Sequence, residues 1–249
     1  MIMKVTKTEA AVASLAPRGV LRAAINFGNP VLAHKDIATG VPRGVSVDLA
    51  NELARRLGVS ISYVAFDAAG KVFAAIGEDV WDVAFMAIDP QRATEVAFTA
   101  AYCIIEGTYM VRADSPFLTI GDADARGVRI TVAKGSAYDL HLSRNLKHAE
   151  ILRCSTGVEA MNLFVRDAYE IAAGVRGPLV RFAKTRPDLR VMDDRFMTIA
   201  QAMAIPRNRN EGSQYLCDFV EEMKRDGFVA RGLQASGELD ALVAPAAGL

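Results

Sequence analysis

The sequence predicts an α/β protein of two lobes, two doubly wound sheets joined by two crossing strands that serve as hinges. Three observations point there. Short apolar runs alternate with amphipathic helical patterns, the rhythm of parallel sheets with crossover helices. That rhythm stops near the middle of the chain and then restarts. Two extended stretches, Cys103–Ala113 and Thr198–Pro206, bracket the second round.

In chain order, Leu21–Asn26 reads as the first strand. Ser46–Leu57 is a helix, because Ala50, Leu53, Ala54 and Leu57 fall at i, i+3, i+4, i+7 and Gly58 supplies a stop. Ser60–Phe66 is a partly alternating strand, Ala68–Ile76 a short helix, and Trp81–Ala87 an apolar strand suited to cover on both faces. The second unit runs through strands 128–133, 149–153, 168–173 and 189–192, with helices 136–146, 158–164 and 176–184 between them. A strong helix over Gly212–Arg225 closes the pattern, its apolar face set by Leu216, Phe219, Val220 and Met223. The simplest topology has the chain leave lobe one, build lobe two and return. Lobe one is then residues 1–107 plus 204–249, lobe two is 108–203, and the hinges lie near 106–110 and 199–205.

Composition excludes several classes. The chain has 249 residues, 51% of them hydrophobic, enough for a large core and too apolar for disorder. Lys plus Arg and Asp plus Glu each number 29, which removes the basic excess that a nucleic-acid binder would use. No apolar run reaches the roughly 18–20 residues needed to span a bilayer, so the chain reads as not membrane-embedded. Cys103, Cys154 and Cys217 are widely spaced and read as free thiols. His34, His141 and His148 make no ligand spacing and read as surface residues, so no metal or cofactor is called for. Lys7 and Glu9 interrupt the first nineteen residues, which therefore do not read as a secretory leader. The sequence as it stands points to the cytoplasm, or to the periplasm if a leader has been removed. It reads as a monomer.

Candidate ligand contacts lie where strand ends and helix starts would face the gap between lobes. After the strand that ends at Ala87, Asp89-Pro90 reads as a cap with the first helical residue, placing Arg92 in the first turn. A guanidinium beside free helix amides can grip a carboxylate; the bland alternative is a surface pair with Glu95. Lys134-Gly135-Ser136-Ala137 opens a second helix start, with Ser136 and Asp139 as a capping pair. It is either an anion site or an ordinary capped helix. Asn26-Phe27-Gly28-Asn29-Pro30 offers an aromatic wall and polar anchors, or merely a turn. Glu106 and Gln201 sit one on each crossing segment, where Glu106 could meet a ligand ammonium or be an exposed hinge charge. No nucleophile–base motif, P-loop or dinucleotide fingerprint is present.

Four segments carry a resemblance. Gly40–Gly58 reads G-x-x-x-G-x-x-V-D-L-A-x-E-L-A-x-x-L-G, and WDVAFMAIDPQRATEVAFTAAY, KGSAYDL and EEMKRDGFVARGL follow. Over roughly residues 20 to 235 the chain resembles the family-3 extracellular solute-binding proteins, the polar amino-acid receptors of bacterial ABC importers. The resemblance implies a type II periplasmic-binding-protein-like fold, with a ligand clamped between the lobes and an ABC permease as partner. It puts Arg92 on the carboxylate-binding arginine and Ser136 and Ala137 on the groups that meet the same carboxylate. Phe27 falls near the aromatic that packs on the ligand. Three positions depart from the family pattern. Val175 stands where an acidic residue takes the α-ammonium, Asp89 replaces a Thr, and Ala101 replaces a Pro. An unpaired ammonium in a cleft is costly, so the expected ligand is a small carboxylate that need not be an α-amino acid. Glu106 is the obvious substitute acid, and Arg176 a place for a second anionic group.

A non-catalytic binder that delivers this acid to an importer is the first expectation. A dehydratase on the same scaffold, with Glu106 or Asp89 as general acid, is the second. A cytoplasmic ligand sensor is the third.

Overall fold

The computed structural model describes residues 8–237 and 240–248. The chain opens with α1 (Glu9–Leu15), β1 (Val20–Asn26), a hairpin of β2 (His34–Lys35) and β3 (Pro42–Arg43), α2 (Val45–Leu57), β4 (Ser60–Phe66), α3 (Ala69–Ala74) and β5 (Val83–Ala87). A long strand, β6 (Val96–Arg112), leads into β7 (Arg129–Ala133), α4 (Ala137–Asn145), β8 (Glu150–Cys154), α5 (Gly157–Arg166), β9 (Ile171–Val175), α6 (Arg176–Ala183) and β10 (Leu189–Val191). The return strand β11 (Met197–Pro206), α7 (Asn210–Arg225), α8 (Phe228–Ala235) and β12 (Leu242–Val243) complete it.

The fold is two-lobed α/β. In one lobe β4, β1 and β5 run parallel, with β11 antiparallel against β5. In the other, β8, β7 and β9 run parallel. The hydrogen-bonded path between them is unbroken, because β6 pairs with β11 from Val96 to Gly107 and with β9 from Gly107 to Met110. One strand thus belongs to both sheets and changes partners at Gly107. A Cβ there would come within 2.9 Å of Met197 Cγ and 3.0 Å of the Phe196 ring, so only glycine lets the crossing strands pass this close.

Local sequence explains most boundaries. β5 is buried at every position, as a strand covered on both faces should be. α2 buries Leu49, Ala50, Leu53, Ala54 and Leu57 and stops at Gly58, whose φ of 69° is left-handed. Four boundaries differ from the expectation. The third strand begins at Val83, because Asp82 leaves the ladder to bind the Arg22 guanidinium from a fully buried position. β9 begins at Ile171, since Ala168 turns the chain at a φ of 51°. α3 tightens into a 3₁₀ turn over Ala75–Glu78. β6 starts seven residues before Cys103, because its first half pairs inside lobe one. His141 is half-buried, stacked 5.9 Å from the Phe196 ring, where a surface position was expected.

Candidate functional site

The carboxyl ends of β1 and β5 in one lobe and of β7 and β9 in the other open onto a shared cavity of about 360 Å³. Loops follow three of those ends, the one after β7 leading into α4, and α6 begins directly after β9. This is where open α/β sheets expose backbone amides and loop side chains to a ligand.

Asn26, Ala87, Arg92, Ser136, Ala137 and Gln201 all line the cavity. Asp89 turns the chain after β5 as a cap would. Its carboxylate accepts the Gln91 N–H at 2.9 Å, and its carbonyl accepts the Ala93 N–H. The turn is a short 3₁₀ helix, Arg92–Thr94, instead of the α-helix expected, but it throws Arg92 inward all the same. Arg92 is 1% exposed. Its guanidinium donates to the Ala87 carbonyl at 3.0 Å and, across the gap, to the Gly135 carbonyl at 2.8 Å. It makes no ion pair among the described residues, and the suggested pair with Glu95 does not form. Burial pulls its pKa down to about 10, and the nearby Asp89 charge offsets only part of that.

On the facing lobe, Ser136 caps α4 by accepting the Asp139 N–H at 3.1 Å. The Asp139 carboxylate reaches back to the Gly135 N–H at 2.8 Å. Ala137 and Tyr138 are the first helical residues, and helix geometry leaves their amides without intrahelical acceptors. The Arg92–Gly135 bond sets the guanidinium beside this helix start. A cation and two free helix amides are suited to a carboxylate.

Two sequence candidates fall elsewhere. Phe27 is outside the cavity: it packs partly against the core and lies under the Lys35 ammonium at 5.3 Å. The reason is alternation: Phe27 continues the β1–β4 ladder through its N–H to the Phe66 carbonyl, so its side chain takes the face opposite Asn26. Glu106 is also outside. Its carboxylate accepts from Arg176 at 2.7 Å and from Arg195 at 2.8 Å. Burial raises its pKa, but those two cations outweigh it and hold the carboxyl below its usual value. Arg176 is likewise consumed, donating also to the carbonyls of Met192 and Asp193. Val175 does line the cavity, at the end of β9.

Sequence reading missed the far wall. Val158, Met161, Leu179 and Phe182 from α5 and α6 reach the cavity and make it apolar. Their signal was present, since each sits early in or along a helix that follows a strand, but it did not stand apart from ordinary core patterning. Among the described residues, no group of three or more His, Cys, Asp or Glu side chains is placed to hold a metal ion. No helix among them is long and apolar enough to cross a membrane.

The model for bacterial extracellular solute-binding proteins, family 3, matches residues 22–235. The chain belongs to this family. Solved structures agree on the fold of this solute-binding protein. A mutant of ArgBP from T. maritima aligns with a TM-score of 0.78 at 22% identity, over 91% of this chain and 99% of that one. The cysteine-binding protein from Campylobacter jejuni aligns with a TM-score of 0.81 at 16% identity, over 94% and 99%. The ancestral amino-acid-binding protein AncCDT-1, described as a precursor of cyclohexadienyl dehydratase, aligns with a TM-score of 0.76 at 22% identity, over 90% and 98%. At the level of sequence, no curated protein matches this solute-binding protein.

Proposed function

We propose that this solute-binding protein closes on a small carboxylate and presents the closed form to the permease of an ABC importer. The observation that carries the reading is Arg92, a buried guanidinium with no carboxylate partner, set beside the start of α4. A buried charge without a counter-charge costs free energy, and a ligand carboxylate would remove that cost. The neighbours named as amino-acid and cysteine binders support the same type of ligand chemistry. Lobe one is residues 1–107 and 204–249, lobe two is 108–203, and bending occurs near 106–110 and 199–205. The protein acts as a monomer, and closure shifts an open–closed equilibrium that the permease reads.

Catalysis finds less support. The two carboxyl groups that could serve as general acid are committed elsewhere. Glu106 is held by Arg176 and Arg195, and Asp89 by Arg144 at 2.7 Å. Neither lines the cavity.

Thermal shift across a panel of carboxylates tests the reading. A binder gives a melting temperature that climbs with ligand concentration. Arg92→Ala should weaken a hit by ~100-fold or more, the usual consequence of deleting one member of a buried charge pair. Retained affinity in that variant would refute the carboxylate clamp. Mass spectrometry of the ligand after incubation should return it unchanged; a dehydrated product would establish the enzyme instead.

A further inference from the structure

The cavity's inventory narrows the ligand beyond a carboxylate, on the understanding that the cleft is the binding site just described. An ammonium group trapped beside Arg92 would need an anion of its own. Asp67 is the single carboxylate that lines the cavity among the described residues. It is exposed and already bound by Lys71 at 2.8 Å. The end of β9, opposite Arg92's lobe, carries Val175, and the wall continues through Val158, Met161, Leu179 and Phe182, with a second cation, Arg181, beside them. That wall can cover hydrocarbon and cannot pair a cation.

Neutral hydrogen bonding, by contrast, is on offer. Gln201 lines the cavity, and so does Asn29, whose side-chain carbonyl oxygen is buried with no hydrogen-bond partner among the described residues. A buried amide oxygen left unpaired is costly and points to a ligand group that completes it. Asn26 uses its carbonyl oxygen to accept the Gly28 N–H at 2.9 Å, which leaves its NH₂ to donate. Neutral amide groups of this kind suit a hydroxyl or carbonyl group and give an ammonium no counter-charge.

We infer that the cleft takes an apolar organic acid whose α-carbon carries an oxygen or only hydrogen, and that it discriminates against the matching α-amino acid. The carboxylate meets Arg92 and the α4 amides, an α-oxygen meets Gln201 or Asn26, and the hydrocarbon body meets the wall from Val158 to Phe182.

Matched ligands decide it, using the intact protein and isothermal titration calorimetry. One set is leucine, 4-methyl-2-oxopentanoate, 4-methylpentanoate and 4-methylpentanamide. The other is phenylalanine, phenylpyruvate, 3-phenylpropanoate and 3-phenylpropanamide. In at least one set the oxo or unsubstituted acid should bind tenfold or more tightly than the amino acid, and the amide should not bind. An amino acid that binds as tightly as its partners, with the amide silent, overturns this inference and leaves the carboxylate site standing. An amide that binds within threefold of its acid, or the failure of every acid in both sets, overturns the site itself. Val175→Asp, checked for an unchanged melting profile, should swing the ranking tenfold or more toward the amino acid. An unchanged ranking in that folded variant overturns the role given to the apolar wall.

Discussion

Arg92 holds its charge under protest. Burial lowers its pKa to about 10 where the lobes touch around it, well below the value of an exposed guanidinium, so that arrangement disfavours the protonated state until a carboxylate pairs with it. A bound carboxylate favours that state and raises the pKa again. The sign follows: affinity should be flat through neutral pH and fall only at alkaline pH, once the guanidinium loses its proton. Calorimetry with a bound acid at pH 8, 9.5 and 10.5 checks this, and affinity that rises across that range would contradict it. Asp82 behaves in the opposite sense. Burial pushes its carboxyl up, but hydrogen bonds from Arg22 and Arg209 outweigh that and hold it below the ordinary range. A folded-state pKa below the unfolded one gives stability that is present above the unfolded carboxylate range and lost as pH falls through the folded value. Asp82→Ala would leave Arg22 with the exposed Asp79 as its remaining ion partner, and urea unfolding should register a loss of about 2–3 kcal/mol.

Elements decide how far the lobes can approach. Gly70, in the first turn of α3, lies against Gly135 just before α4. A Cβ on Gly70 would come 2.7 Å from the Lys134 carbonyl oxygen, a backbone atom that cannot swing away. Overpacking of this kind costs about 1–3 kcal/mol, and here the cost falls on the closed arrangement alone. Gly70→Ala should therefore weaken a ligand by ~10-fold with no change in any ligand contact, while the melting temperature of the empty protein stays put. Calorimetry beside a thermal melt separates those effects; an unaltered affinity would mean that Gly70 does not meet lobe two when ligand is bound. The Asp89–Arg144 pair at 2.7 Å spans the same gap. Several elements were legible from sequence because their cues are local. α2 announced itself by an i, i+3, i+4, i+7 stripe and a terminal glycine, and β5 by an unbroken apolar run. The first half of β6 was not, because nothing local in Val96–Tyr102 distinguishes a strand that pairs with a segment a hundred residues away.

For the molecule as a whole, closure is the expected readout. The lobes touch at Arg92–Gly135 and Asp89–Arg144 around a cavity of about 360 Å³, and the proposed route of entry is their parting. Ligand should lower the radius of gyration in X-ray scattering, and an unchanged value at saturation would argue against hinge motion as the mode of entry. The crossing of β6 and β11 at Gly107 is narrow, and the Glu106 carboxylate beside it, bound by Arg176 and Arg195, fixes the flank of that crossing.

The sequence alone determined the two-lobed α/β plan and offered Arg92 and Ser136 among several candidates, since strand ends and helix caps are written in neighbouring residues; the family resemblance joined those two on one carboxylate. Tertiary structure decided which candidates share a cavity. It carried Glu106 and Phe27 away and brought in the wall of Val158, Met161, Leu179 and Phe182. Those outcomes depend on which side of a strand or helix faces another lobe, and that is set by packing between distant segments.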